Sequence, residues 1–314
     1  VIKDLTASRT VTSSEEIKEL PVESVSGLMA IQAGITQGAD GALHVRGGRS
    51  SELGYYVNGM SVADPYSTNG QGVSIANNAI QEMSVVSGTF NAEYGNAMSG
   101  IVNITTKEGS SRPEFSLSFY TGDMLTSNND TYFYRSGTES GELRGNSGND
   151  FEPFNNMTVE GTLGGPVPML SRKLKFFASF RYDDDQGYLV GIRQHTTSDT
   201  SIYQTRGDGK EIKMNWSKAL NLTANLTYQI SPSLKVKGDV IYNGSQYQNY
   251  DHWYKYNPDG RPEHHNNSLS LAFTLTHNLS PSTFYNLGLS YNIKEDETYT
   301  YEDPYDSRYE PVED

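Results

Sequence analysis

The segment Arg46-Gly47-Gly48-Arg49 carries the side chains with the clearest capacity for chemistry. A guanidinium can make two parallel hydrogen bonds to a carboxylate, and the glycines between the arginines leave the backbone free to place both groups. The alternative is a pair of ordinary surface arginines, whose ion pairs stabilise little. The spacing therefore predicts carboxylate binding, with an acidic partner in the same protein or on an external ligand.

No pattern in the sequence indicates an enzyme. The sequence has no cysteine nucleophile and lacks the G-x-S-x-G, HExxH and Walker motifs. Its six histidines are scattered, apart from one predicted loop that contains His252, Glu263, His264 and His265. These side chains can bind a transition metal, but a metal site needs fixed geometry, so we interpret them as solvated loop residues. We expect no enzyme activity, no cofactor and no metal.

Composition alone describes a soluble protein, except for the tyrosines. The chain has 314 residues, a net charge of -14 and 22 tyrosines, with a mean hydropathy of -0.60. Strands of outer-membrane barrels are polar on average because only every second residue is apolar, and aromatic residues are enriched at their membrane boundaries. The negative charge argues against a nucleic-acid partner.

Two membrane-related signals are missing from the sequence. It has no run of about 18 apolar residues, which excludes a transmembrane helix. Its first residues lack a basic region followed by an apolar core. We therefore expect any export signal to have been removed or to lie outside this chain.

Residues 1–110 are predicted to form a small α+β domain. Its predicted elements are a short helix capped near Ser13 and ended by Pro21, a helix Ser24–Ile31, a hairpin turning at Asn58-Gly59, and strands Ile80–Ser87 and Gly100–Thr106. The two arginines lie in the glycine-rich part of this domain.

Residues 111–314 are predicted to form antiparallel strands with one apolar face. Within Ala219–Ile230, apolar residues alternate with small polar ones without interruption. The same alternation defines seven strands, around Phe115–Phe119, Met157–Leu163, Leu174–Tyr182, Ala219–Ile230, Leu234–Tyr242, Leu269–Leu275 and Tyr285–Ile293. Short turns alternate with long loops between them, as in outer-membrane barrels. Because an open edge cannot lie in hydrocarbon, we expect further strands of the same protein to close this sheet.

Several motifs in order resemble the plug domain of TonB-dependent outer-membrane receptors. They are the segments Thr10–Ile35, His44–Tyr66 and Asn77–Lys107, the last of which resembles the closing part of that domain. The pieces Thr162–Val167 and Thr300–Tyr309 resemble the barrel of an Oar-like or Bacteroidetes-type subgroup. The resemblance implies a plug domain in residues 1–110, followed in residues 111–314 by about seven strands of an antiparallel transmembrane β-barrel of about twenty-two strands.

The resemblance also implies a function and its partners. A receptor of this family lies in the bacterial outer membrane, contacts outer-membrane lipid, and takes up a scarce nutrient under force from the inner-membrane TonB complex. The ligand is a small molecule or an oligomer, such as a metal chelate, a vitamin, a glycan or a peptide. Such coupling needs a TonB-contacting box N-terminal to the plug domain; that segment is missing from this sequence, so the coupling is inferred from the resemblance alone.

Site residues follow from the same resemblance. In the family, the arginine of the plug motif, here Arg46, is held by acidic residues of the barrel wall and so anchors the plug. Glu160 and Asp239 face the predicted lumen and are its candidate partners. Residues expected near an external ligand are Arg49, Tyr55, Tyr56, Asp64 and Tyr66, beside Pro65. The alternative for this second group is ordinary turn and packing residues.

Two other functions remain open on the sequence. One is a plugged outer-membrane barrel that acts as an adhesin or as a structural part of a secretion or surface assembly. The other is a soluble carbohydrate-binding β-protein, suggested by the abundance of tyrosine and asparagine. A signal peptide, a TonB box and further strands in the full-length gene would favour transport.

Overall fold

The computed structural model describes most of the chain. These residues are 8–20, 22, 24–38, 41–64, 72–88, 97–123, 152–168, 173–199, 201 and 203–309, with the backbone alone of 135–137 and 143–145. Across these ranges, no helix combines the length and the apolar character needed to cross a membrane.

The first part of the chain forms a compact α+β unit, which we call the N-terminal domain (residues 8–106). Its elements are β1 (Ser8–Ser13), α1 (Ser14–Glu19), α2 (Val25–Ala30), β2 (Ile35–Gln37), β3 (Leu43–Val45), β4 (Leu53–Val57), β5 (Met60–Ser61), β6 (Ile80–Ser87) and β7 (Gly100–Thr106). Five strands form one sheet in the order β1-β6-β7-β4-β5, with β4 and β7 parallel. Strands β2 and β3 form a separate antiparallel pair.

The predicted helices and hairpin of this domain are confirmed. Ser13 and Glu16 form a capping box at the start of α1, in which each side chain accepts a hydrogen bond from the other residue's backbone N–H. The turn between β4 and β5 is formed by Asn58 and Gly59, both with positive φ, at 51° and 82°. Such a turn matches the twist of two antiparallel strands.

A single hydrophobic core lies between the five-stranded sheet and the helices. Leu28 and Met29 of α2 are fully buried against Ile80 and Met83 of β6 and Val102 of β7. Two residues from the second part of the chain, Phe177 and Ile241, join the same cluster. The N-terminal domain is therefore packed against the strands that follow it.

The second part of the chain contains strands β8 to β18. They are β8 (Glu114–Gly122), β9 (Arg135–Gly137), β10 (Leu143–Gly145), β11 (Asn156–Pro166), β12 (Leu174–Asp185), β13 (Val190–Ile192), β14 (Glu211–Lys213), β15 (Ser217–Ser231), β16 (Leu234–Tyr247), β17 (Glu263–Ser280) and β18 (Thr283–Tyr299). Seven of them form one antiparallel sheet, which we call the wall, in the order β18-β17-β16-β15-β12-β11-β8. All seven predicted strands are confirmed.

The wall has one polar and one apolar face, as the alternation predicts. On β15, Leu222 and Leu226 are 40% and 48% exposed, whereas Thr223 and Asn225 between them are 3% and 4% exposed. The polar face packs on the N-terminal domain and the apolar face is open. This is the arrangement expected of strands that face hydrocarbon on one side and protein on the other.

Connections along the wall alternate in length. The connections 167–173, 232–233 and 281–282 are short, whereas 123–155, 186–216 and 248–262 are long. We call the two ends of the wall the turn end and the loop end. Among the described residues, β8 and β18 each pair with one strand of the wall, so they form its two edges.

Candidate functional site at the interface of the N-terminal domain and the wall

An ion pair fastens the N-terminal domain to the wall near the loop end. The Asp64 carboxylate lies 2.7 Å from the ammonium of Lys294 on β18, and its side chain is only 7% exposed. Lys294 also lies 3.0 Å from Asp296. Asp64, which was predicted to approach a ligand, thus contacts the wall in this structure.

A second contact joins Ser74 to Asn243 on β16. The Asn243 amide donates to the Ser74 carbonyl at 2.6 Å and accepts from the Ser74 N–H at 2.7 Å. The same amide donates to Asn221 and accepts from the Ser268 hydroxyl, so neighbouring strands hold its orientation. The Asn243 side chain therefore pairs with both backbone hydrogen-bonding groups of Ser74, as the backbone of a neighbouring strand would.

A third contact centres on Asn58, in the β4–β5 turn. Its amide nitrogen donates to Asp239 on β16 at 3.1 Å and to the Thr106 hydroxyl at 2.9 Å. The Thr106 N–H donates back to the Asn58 oxygen at 3.0 Å. Asp239 is also paired with Lys237 at 3.1 Å. Asp239, predicted to hold Arg46, instead contacts Asn58 and Lys237.

The fourth contact lies at the turn end, where the chain leaves the N-terminal domain. Glu108 pairs with Lys235 at 2.9 Å and with Lys237 at 3.5 Å. The Asn225 amide donates to the Lys107 carbonyl at 2.5 Å. Burial alone would raise the pKa of Glu108, but the hydrogen bond and charge of Lys235 with the charge of Lys237 outweigh it and lower the pKa.

On the opposite side, cavities separate the N-terminal domain from β8, β11 and β12. A cleft of about 1060 Å³ at the turn end is lined by α1 residues and by Ser118, Thr162 and Glu160 of the wall. A cavity of about 540 Å³ nearer the loop end is lined by Ser74 and by Asp183. Between them, the Asn78 amide of the N-terminal domain donates to the Phe180 carbonyl at 3.1 Å.

Glu160 is engaged within the wall. Its carboxylate lies 3.2 Å from Arg181 on β12, and Arg181 also pairs with Asp183 at 2.8 Å. The Thr158 hydroxyl donates to Asp183 at 2.8 Å, which fixes that carboxylate in turn. Glu160 faces inward, as predicted, but its partner in this structure is Arg181.

The arginine segment is exposed. Arg46 has a φ of 49°, and its N–H donates to the Gly34 carbonyl at 2.8 Å. Within the described residues, its side chain forms no ion pair. Arg49 is also exposed, and its N–H donates to the Glu52 carboxylate at 3.2 Å. The anchoring role of Arg46 and the ligand role of Arg49 stay predictions.

Three tyrosines were also predicted to lie near an external ligand. Tyr55 and Tyr56 are buried in β4, at 6% and 8% exposure, and burial raises the pKa of Tyr55. Tyr66 and its neighbour Pro65 lie outside the described residues. A ligand role for these residues stays a prediction.

The histidines predicted to share one loop do not all lie in it, because Glu263, His264 and His265 belong to β17 and only His252 lies in the connection 248–262. His264 stacks on Tyr247 and His265 on Tyr299. Across the described part of the chain, no group of histidine and acidic side chains is arranged to hold a metal.

Comparisons with known proteins agree with this architecture. Residues 1–101 match the family model of the TonB-dependent receptor plug domain. The TonB-dependent transporter Oar of Myxococcus xanthus is 29% identical over 138 residues, which cover 43% of this chain and 12% of that protein. The chain thus spans a small part of this curated relative.

Solved outer-membrane receptors share the fold. The siderophore receptor PirA from Pseudomonas aeruginosa matches with a TM-score of 0.60 at 15% identity, covering 92% of this chain and 41% of that structure. The outer-membrane transporter YddB from Escherichia coli matches with a TM-score of 0.63 at 14% identity, covering 90% and 38%. The alcaligin receptor FauA from Bordetella pertussis matches with 0.59 at 11%, covering 93% and 40%.

Residues 1–101 therefore belong to the plug-domain family of TonB-dependent receptors, and the chain as a whole is similar in fold to such receptors. Its N-terminal domain is a plug domain, and its wall has the fold of the first part of such a receptor's barrel.

Proposed function

We propose that the full-length protein is an outer-membrane transporter that takes up a scarce nutrient under force from the TonB complex. The nutrient is a metal chelate, a vitamin, a glycan or a peptide. The observation that carries this proposal is a plug domain packed on the polar face of a sheet whose other face is apolar and open. An apolar outer face suits lipid, and a polar inner face suits a plug that must move.

The contacts between plug and wall support movement of this kind. Ion pairs and hydrogen bonds hold the two together at Asp64, Ser74, Asn58 and Glu108. Water can replace the partner in such contacts, so each contributes only about 0.5–1.5 kcal/mol net, or somewhat more when charged. A pulling force can therefore break them one after another without exposing a large apolar surface.

We also propose a role for each of the two exposed arginines. Arg46 is proposed to bind carboxylates of further barrel strands and so to anchor the plug, and Arg49 to face the ligand. Both side chains are exposed on the N-terminal domain, and both remain accessible to such partners.

Energy-dependent uptake is the experiment that tests the function. Two cultures would be grown in the same defined medium: a strain that lacks the full-length gene, and that strain complemented with the gene. The concentrations of iron chelates, vitamins, glycans and peptides in the medium would be followed over time. The proposal expects at least one compound to disappear only from the complemented culture, and a protonophore to abolish this. If no compound is depleted, while the protein mediates binding of cells to a surface, the adhesin alternative replaces it.

A further inference from the structure

The N-terminal domain is fastened unevenly to the wall. Toward β15–β18, four hydrogen-bonded or ionic contacts run from the loop end to the turn end. Toward β8, β11 and β12, the two cavities intervene instead. Direct contacts on this side are the hydrogen bonds of Asn78 to the Phe180 and Gly161 carbonyls and the packing of Phe177 into the hydrophobic core. The space for a solute between the N-terminal domain and the wall therefore lies on this side, around these contacts.

Arg181 lies where the two cavities meet. Its side chain borders both of them and is 9% exposed. Its two carboxylate partners are on different sides, because Glu160 lines the turn-end cleft and Asp183 lines the loop-end cavity. The guanidinium thus lies between the cavities, as does Tyr120, and it is paired with a carboxylate of each one.

We propose that the solute path of this protein runs along the inner faces of β8, β11 and β12, with Arg181 as its gate. A guanidinium shared by two carboxylates can leave one and keep the other, so its own charge stays paired as it moves toward Asp183, and the carboxylate of Glu160 that it leaves then faces the opened passage. Such movement joins the two cavities into one passage. The proposal rests on transport as the function and adds the location and the gate.

The lining of the path indicates which solutes it admits. The turn-end cleft is lined by hydroxyl groups of Ser116, Ser118 and Thr162, by four glutamates, and by Lys18, Lys107 and Arg181. The loop-end cavity is lined by Asp183 to Asp185, so carboxylates outnumber cations over the two cavities. Carboxylates around a passage attract cations and repel anions. The path therefore suits hydrophilic solutes that are neutral or positively charged.

Ion conductance measures the gate without knowledge of the nutrient. Purified full-length protein would be placed in a planar lipid bilayer in potassium chloride, as wild type, Arg181→Ala and Glu160→Gln. We expect Arg181→Ala to raise the open probability by about ten-fold or more, because removal of a buried ion-pair member shifts an equilibrium by several kcal/mol. Glu160→Gln, which retains the side-chain shape, should give a smaller rise, and the current should favour potassium over chloride.

A cysteine then locates the path. These 314 residues contain no cysteine. In a full-length Arg181→Ala background in which any cysteine outside them is replaced by serine, Ser118→Cys gives one reactive site, and a bulky thiol reagent should block the openings. Thr227→Cys, buried on the fastened side, is the matched control and should leave them unblocked. The matched gate control is Arg193→Ala, which removes a guanidinium that two carboxylates, Asp208 and Asp259, also share but that lines neither cavity. This variant should not open the channel.

Three results would overturn the gate and its path. The first is no conductance above wild type in both folded gate variants. The second is equal openings in Arg193→Ala. The third is openings that the reagent blocks at Thr227→Cys and not at Ser118→Cys. None of these depends on nutrient uptake, so failure of the gate can be told from failure of the transport proposal.

Discussion

At the scale of the residue, one side chain at this interface can have two roles: it stabilises a local turn, and it bonds the N-terminal domain to the wall. Asn58 adopts the positive φ of a tight turn, and its amide also bonds Asp239 of the wall. Asparagine tolerates this conformation better than most residues, and glycine tolerates it best. The two roles of Asn58 can therefore be separated by substitution.

Asn58→Gly is expected to keep the turn and lose the contact. In the variant, Asp239 still contacts Lys237 but no longer accepts a hydrogen bond from the N-terminal domain. We expect this loss to lower the free energy of local opening by about 1–3 kcal/mol. Hydrogen exchange of the β4 and β5 amides in the full-length protein measures this directly. Asn58→Ala, which also strains the turn, should exchange faster still. Exchange in Asn58→Gly equal to wild type would remove Asn58 from the interface.

The sequence predicted the inward direction of Glu160 and Asp239 and missed their partners. Strand period decides which face a residue occupies, and this is a local property. Which charge meets which across two sheets depends on their docking, which a local pattern does not encode. For Asn243, a signal existed: it is a polar residue at an inward position, directly after the predicted strand Leu234–Tyr242.

At the scale of the element, strand β18 is an edge of the wall whose outward residues can be tested directly. Leu287 and Leu289 point outward and are 51% and 63% exposed, and no other element covers them. Asn286 lies on the opposite face of the same strand. The short plug strands β2 and β5 were harder to predict than these long ones, because two or three residues carry no measurable alternation.

Leu287→Arg is expected to destabilise the full-length protein in a membrane by about 2–4 kcal/mol, because it places a charge in hydrocarbon. Asn286→Arg, on the same strand, should cost far less. Urea unfolding in lipid vesicles compares the two variants. Equal losses of stability would show that the outer face of β18 does not contact lipid.

The linker between β7 and β8 is expected to respond to pH through Glu108. Because Lys235 and Lys237 lower its pKa below the ordinary value, the ionised carboxylate stabilises the folded state above the unfolded pKa. This stabilisation is lost as the pH falls through the lowered folded pKa. Hydrogen exchange of the linker amides should accelerate in that acidic range in the wild type.

Glu108→Gln is the matched control for this response. The glutamine amide does not titrate. Hydrogen exchange of the linker amides in this variant should therefore change with pH only as the intrinsic exchange rate does. A steeper acidic acceleration in the wild type identifies the carboxylate as the cause. The same profile in both proteins would mean that the lysine pairing does not hold the linker.

At the scale of the whole molecule, a plug domain lies on the polar face of a wall whose other face is apolar. The two edges of that wall, β8 and β18, present backbone groups that need partners before the sheet can face lipid. The order of plug motifs and the alternation of strands made this architecture predictable from sequence. The cavities beside β12 were not predictable, because they depend on how two domains dock.

A cryo-electron-microscopy structure of the full-length protein in lipid nanodiscs tests the central claim most directly. The account predicts a closed barrel in which β8 and β18 each pair with a further strand, lipid density lies along Leu287 and Leu289, and the N-terminal domain fills the lumen with Asp64 still paired to Lys294. An N-terminal domain outside the barrel, or a wall with its apolar face buried against protein, would contradict it.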